Sequence, residues 1–220
     1  MRFARYTTCG LVLVSFAAQV GCEPSYTYAG YDMPDHFPMD GSTREWTYAS
    51  TDISVTDGLV IEKADSSVED GVEVITLEHW TIGEDDTEDL AWQVKWASDQ
   101  VEGVLIYGFK AAADPDWTDF VPPIVFAEKR GVAGDQVVTQ TGSYTWTATF
   151  EGVDGCETYW VPDWADEDCL VVNLDDGDDT PVTNGIIVGT YWLVPRYGSA
   201  LMELDGYSAR WSLADHDWVE

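Results

Sequence analysis

The strongest constraint on the fold is a two-residue rhythm. Leu90, Trp92, Val94 and Trp96 alternate with Ala91, Gln93, Lys95 and Ala97, and Tyr144, Trp146, Ala148 and Phe150 alternate with Thr145, Thr147 and Thr149. Successive side chains of a strand point to opposite faces, so each run predicts a strand with one buried and one wetted face, as in an antiparallel sheet. "GVEVITLEHW" (71–80), "VEGVLIYGF" (101–109) and "NGIIVGTYWLV" (184–194) are further β-rich runs, bounded by Gly, Asp and Ser clusters. "ASDQV" (97–101) reads as a short turn, and Asp205-Gly206 inside "ELDGYSARW" (203–211) as a hairpin. No long amphipathic helix is visible. At most one helical turn fits in 111–120, "AAADPDWTDF", where Pro115 limits it. With 220 residues, 45% of them hydrophobic, the chain can build one domain with a full core.

The first 22 residues, "MRFARYTTCGLVLVSFAAQVGC", carry Arg2 and Arg5 and then no charge. The apolar stretch Leu11–Ala18 is too short to span a bilayer and suits a secretion signal. Gln19-Val20-Gly21-Cys22 resembles the bacterial lipobox, in which small residues precede a cysteine that becomes acylated. Val20 and Gly21 fit that pattern, whereas Gln19 stands where an aliphatic residue is usual. The expectation is a signal peptide over 1–21, lipid attachment at Cys22, a tether over 22–41 that becomes ordered near Phe37, and one all-β domain over 42–220. Plain signal-peptidase cleavage nearby and an uncleaved anchor are the alternatives.

This assignment leaves Cys156 and Cys169 as an isolated pair, since Cys9 goes with the leader and Cys22 carries the lipid. Outside the cytoplasm two free thiols rarely persist, so a disulfide is expected. If the two cysteines face each other across a hairpin, Trp160 faces Ala165 and "VPDW" (161–164) is the loop, with Pro162 early in the turn. Closing a loop of this size contributes roughly 3 kcal/mol in the chain-entropy picture.

The net charge is −31, with ten basic residues against 41 acids. Loss of Arg2 and Arg5 with the leader makes it −33. Such a surface repels nucleic acid and anionic headgroups. Acids cluster between strands, in "GEDDTED" (83–89), "DWADED" (163–168) and "DDGDDT" (175–180), where their heads stay hydrated. Asn173, Asp175, Asp176, Asp178 and Asp179 around Gly177 could offer calcium its oxygens, but the EF-hand order is absent. His36, His79 and His216 are isolated, without metal-ligand spacing, and His79 beside Trp80 reads as a packing residue at a strand end. There is no G-x-S-x-G elbow and no P-loop, and 41 acids always offer some carboxylate pair, which makes that signal uninformative. No catalytic, metal or cofactor residue is assigned. Most of the eleven tryptophans are expected in the core, with Trp117, Trp160 and Trp164 beside turns as surface groups.

"HFPMDGSTREWTY" (36–48) resembles the opening of a broad group of bacterial envelope lipoproteins of unassigned function. Val161, Pro162, Trp164, Cys169, Leu170 and Val172 would match a later strand pair of that group, and "TYWLVPRYGSALMEL" (190–204) its closing strand and glycine turn, with Trp192 and Gly198 in the matching places. This chain has "DWADED" where the group favours a glycine. The resemblance implies a strongly curved antiparallel sheet, similar to the half-open barrels of periplasmic lipoprotein carriers. It implies no catalytic residue.

The expected fold is therefore all-β, a single strongly curved antiparallel sheet forming a half-open barrel, with a β-sandwich as the alternative. The expected function is that of a secreted, lipid-anchored envelope protein at the outer membrane, in the periplasm or at the cell surface. It would bind an apolar ligand or a partner protein without catalysis. A calcium- or carbohydrate-binding surface module and a hydrolase with paired carboxylates are the competing classes.

Overall fold

A computed structural model describes residues 31–37, 43–50, 58–69, 71–83, 85, 87–99, 101–155, 168–177, 187–194, 198–207 and 210–218; of 43, 44 and 215–218 it gives the backbone alone. The fold belongs to the unit Asp32–Glu220. Twelve strands make one antiparallel sheet. They are β1 (Thr43–Ser50), β2 (Gly58–Glu69), β3 (Val72–Ile82), β4 (Glu88–Asp99), β5 (Gly103–Ala111), β6 (Thr118–Glu128), β7 (Gln136–Thr141), β8 (Tyr144–Gly155), β9 (Asp168–Asp175), β10 (Gly189–Val194), β11 (Gly198–Leu204) and β12 (Arg210–Trp218). Their spatial order is β6-β5-β4-β3-β2-β1-β12-β11-β10-β9-β8-β7.

This order is a meander with an unusual start. The first and last strands pair with each other, as Tyr48 faces Leu213 and Trp46 faces His216. The two edges are β6 and β7, which are consecutive in sequence. The sheet curls until these edges meet, giving a nearly closed barrel. Pro122 and Pro123 explain why the last ladder is not a regular one. Neither can donate an N–H, and proline in a sheet is confined to edges. Two hydroxyls bridge the seam instead. Thr141 Oγ1 accepts from Val121 N–H at 2.7 Å, and Thr139 Oγ1 accepts from Val125 N–H at 3.1 Å. Side-chain bonds thus satisfy backbone donors that a paired strand would have satisfied.

The alternation seen in sequence sorts side chains to the two faces of the wall. Trp92, Val94 and Trp96 of β4 and Trp146, Ala148 and Phe150 of β8 point into one core cluster. Gln93, Lys95, Thr145, Thr147 and Thr149 lie between them on the other face. On the outward phase of β3–β5 a second, smaller apolar cluster forms from Val74, Ala97, Leu105 and Tyr107. Among the described residues no helix is long and apolar enough to cross a membrane.

Aromatic rings fill much of the interior and tie opposite walls together. Phe126 of β6 meets Tyr191 of β10 edge-on, with centroids 5.1 Å apart, and Phe120 meets Trp146 at 5.4 Å. One end is plugged by the segment before β1, a 3-10 turn over Met33–His36. Met33 N–H donates to Lys129 O, and Ser98 Oγ donates to Pro34 O. Phe37 packs on Trp96 at 4.7 Å and on Phe126 at 5.9 Å. A Cβ at Gly131 would come within 3.1 Å of Met33 Sδ and 3.0 Å of the Phe150 ring, so glycine lets the plug pack closely here. Residues 32–37, read from sequence as tether, thus give Met33 and Phe37 to the core.

Residues 112–117 form turns and bends, within the limit of one helical turn set by Pro115; Asp114 N–H donates to Ala111 O, and β6 begins at Thr118. Two local expectations are corrected. The register of β8 and β9 places Asp154, not Cys156, opposite Cys169. A bulge between Phe150 and Gly152, where Gly152 takes φ 131°, sets that register. Cys169 is fully buried, while Cys156, Trp160 and the rest of 156–167 lie outside the described residues. His79 is the second case and belongs to the site described next.

Candidate functional site

The interior is not completely filled. Between β1–β4 on one side and β10–β11 on the other lies a cavity of about 550 Å³, counting the space open to solvent. Its wall is aromatic and aliphatic, with Trp46 and Tyr48 from β1, Ile61 from β2, Leu77 from β3, and Trp92, Val94 and Trp96 from β4. Tyr191, Ser199, Met202 and Leu204 face them, and Phe37 closes the plugged end. These residues converge because each occupies the inward phase of its strand.

Two phenols in this wall already have their polar partners. Tyr48 donates to Ser199 O at 2.8 Å and Tyr191 donates to Ile187 O at 2.6 Å. Burial pushes both well above the ordinary phenol range, so they stay neutral and present their rings to the cavity. Tyr207, in the turn after β11, packs on Trp92 at 5.5 Å and on Trp211 at 5.9 Å. It is half-buried, and burial raises it to about 12.

His79 does not sit at a strand end as a packing cap. It follows Ile75 and Leu77 on the inward face of β3, directly opposite Trp92 of β4. The two rings stack at 4.7 Å and 19°. Burial holds His79 far below its usual value, at about 3, with an opposing contribution from the Leu77 backbone, so the imidazole is neutral at physiological pH. Two polar atoms of this stacked pair, His79 Nδ1 and Trp92 Nε1, are buried without a hydrogen-bond partner among the described residues. Reasoning from sequence missed them, although the inward phase of His79 after Leu77 was a usable signal.

The remaining candidates scatter. Trp117 is half-buried at the surface, where the Lys95 ammonium stands 4.8 Å from its ring centroid. Trp46, Trp92, Trp96, Trp146 and Trp211 are buried, as expected for core tryptophans. His36 makes a 2.9 Å hydrogen bond to Asp32 O in the plug. Asn173 donates to Thr190 Oγ1, and Asp175 Oδ1 accepts from Gly177 N–H; Asp178 and Asp179 lie outside the described residues. Trp164 and Cys22 lie outside them too, and so does the side chain of His216. Among the described residues no group of three or more His, Cys, Asp or Glu is arranged to hold a metal ion, and no Asp, Glu, Lys or Arg lines the cavity.

Comparison with protein-family models, with curated proteins and with solved structures gave no match. The curved sheet implied by the lipoprotein resemblance is present; the family itself has no support beyond the short motifs that suggested it.

Proposed function

We propose that this protein is a lipid-anchored component of the bacterial cell envelope that holds an apolar ligand inside its barrel without catalysing a reaction on it. The observation that carries the reading is the cavity. It is concave, it lies between facing walls of the barrel, and its wall is aromatic and aliphatic with few polar groups, the lining typical of small-molecule sites. A lining without charged side chains favours an apolar occupant and offers no acid–base pair for hydrolysis. The acidic exterior favours solubility while a lipid on Cys22 would hold the domain at a membrane surface.

Titration with N-phenyl-1-naphthylamine, an uncharged fluorophore that brightens in apolar surroundings, tests the cavity. The expected result is saturable binding at one site per chain, lost in Val94→Trp, which fills the cavity from the middle of β4. Unsaturable signal, or equal binding by a folded Val94→Trp, would overturn the proposal. The anchor is tested separately by Cys22→Ser, which should release the protein from native membranes; retention refutes lipidation there.

A further inference from the structure

The two ends of the barrel differ in what they expose. Because the strands alternate in direction, the β2–β3, β4–β5 and β6–β7 connections and the end of β8 all lie at the plugged end. Among the described residues, exposed valines gather there. Val101, in the β4–β5 turn, is 80% exposed, and Val68, beside the β2–β3 turn, is 73% exposed. Val132 in the β6–β7 connection and Val153 near the end of β8 are exposed too. Val121 and Val138, also exposed, lie along the seam instead. The described turns of the opposite end show small and polar residues, and their aromatic side chains are half-buried, Trp117 beside Lys95 and Tyr207 on Trp92. A single exposed valine is ordinary, but valine is not a residue that turns favour, and four at one end form a pattern.

The chain's own path points to the partner. The first residues of the domain are fixed at this same end, where the Asp32 carboxylate pairs with Arg130 at 3.3 Å and Met33 N–H donates to Lys129 O. Ten residues lead from Cys22 to Asp32, a reach of at most roughly 35 Å when fully extended. A lipid on Cys22 would therefore hold this end, not the far one, beside the bilayer. We infer that the plugged end is a membrane-contact surface, on which Val68, Val101, Val132 and Val153 rest in the interfacial layer of a bilayer without net charge. This rests on the lipidation at Cys22 proposed above. Each valine adds little for a free protein, but the tether makes the contact intramolecular, so weak contacts suffice to select one orientation. Glu69, Asp99, Glu102, Glu128 and Asp135 stand at this end against Lys129 and Arg130, which disfavours anionic headgroups. In this orientation the plug lies between the cavity and the lipid.

Hydrogen exchange reads the contact directly. The mature, natively lipidated protein on phosphatidylcholine nanodiscs is compared with the Cys22→Ser chain in buffer. On the disc, amides of the β2–β3, β4–β5 and β6–β7 turns should exchange at least about threefold more slowly, and those of the β5–β6, β7–β8 and β11–β12 turns should not change. A chain that does not co-purify with the discs overturns the anchor and this inference with it. A chain that co-purifies but slows at neither end, or at the far end, overturns this inference and leaves the anchor standing. Val68→Ser/Val101→Ser changes two exposed side chains, so the fold is kept; the variant should stay on the disc and lose the slowing at its two turns. Unchanged slowing in that variant would overturn the role of the valines. Replacing half of the lipid by phosphatidylglycerol should weaken the slowing; a stronger effect would overturn the inference in favour of headgroup recognition by Lys129 and Arg130.

Discussion

At His79 a polar ring stands in an inward phase that Ile75 and Leu77 fill with hydrocarbon. The consequence can be read from pH. The unfolded ring titrates near 6.5 and the folded one near 3, so between those values only the unfolded state takes up the proton. Stability from this residue is whole above pH 6.5 and is lost as pH falls, by at most about 1.4 kcal/mol per pH unit. Half-buried His36, lowered by its partial burial, adds to the same loss, while Glu62, Asp176 and Asp205, each raised first by burial and then by neighbouring carboxylates, act the other way. Comparing wild type with His79→Phe by urea unfolding at pH 7.5 and pH 5 isolates one ring. The variant should lose less stability on acidification by about 1–2 kcal/mol. An identical loss in both proteins would contradict the burial of a neutral imidazole. The phase of His79 was legible in the sequence. Its stacking on Trp92 was not, because facing partners depend on register, and a bulge between His79 and Trp80 sets that register.

The elements divide into those that local chemistry announces and those that only closure explains. The alternation placed β4 and β8, and the turn signals placed two hairpins. Asp99 Oδ1 accepts from Val101 and Glu102 N–H in the first, and Tyr207 N–H donates to Leu204 O in the second. β6 was not legible, because "VPP" argues against a strand interior and says nothing about which edge tolerates it. The bridging threonines follow from that edge. Thr139 and Thr141 are buried, and replacing both by Val leaves two backbone N–H groups without their acceptors. The double variant should lose about 2–4 kcal/mol in urea unfolding. An unchanged midpoint would mean the seam is held by packing alone. On the outer face, Glu62 stands between Glu45 of β1 and Glu78 of β3. Directly opposed like charges destabilise a sheet, so Glu62→Gln should raise stability by about 0.2–1 kcal/mol at low salt, with the gain shrinking in high salt. A loss of stability on this change would show that the carboxylate has a compensating partner.

For the whole domain, the sequence carried the fold class and the sign of the surface; the cavity required the strands to be assembled. A curved all-β sheet follows from period-two runs and short turns, whereas an internal void depends on how twelve strands and a plug share one interior. Phe37 is the test of that plug. It closes the cavity at one end and packs on Trp96 and Phe126. Phe37→Ala should cost about 3 kcal/mol, the low end for a truncated core aromatic, and should speed the entry of N-phenyl-1-naphthylamine measured by stopped flow. A slower or unchanged entry rate would place the route into the cavity elsewhere, with the Tyr207 turn the next candidate.

The pairing of β1 with β12 has a consequence for how this molecule comes into being. Thr43–Ser50 and Arg210–Trp218 are the most distant strands in the sequence, yet they are hydrogen-bonded neighbours. Every other ladder in the sheet joins consecutive strands, which can zip up as hairpins. Two six-stranded ribbons, β1–β6 and β7–β12, can therefore form independently and early. They become one barrel only when the longest-range contact is made, after a large loss of chain entropy. The ring is thus joined by a late clasp on one side and by two threonine hydroxyls on the other, and the half-formed ribbons are the species in which aromatic interior surface would be bare.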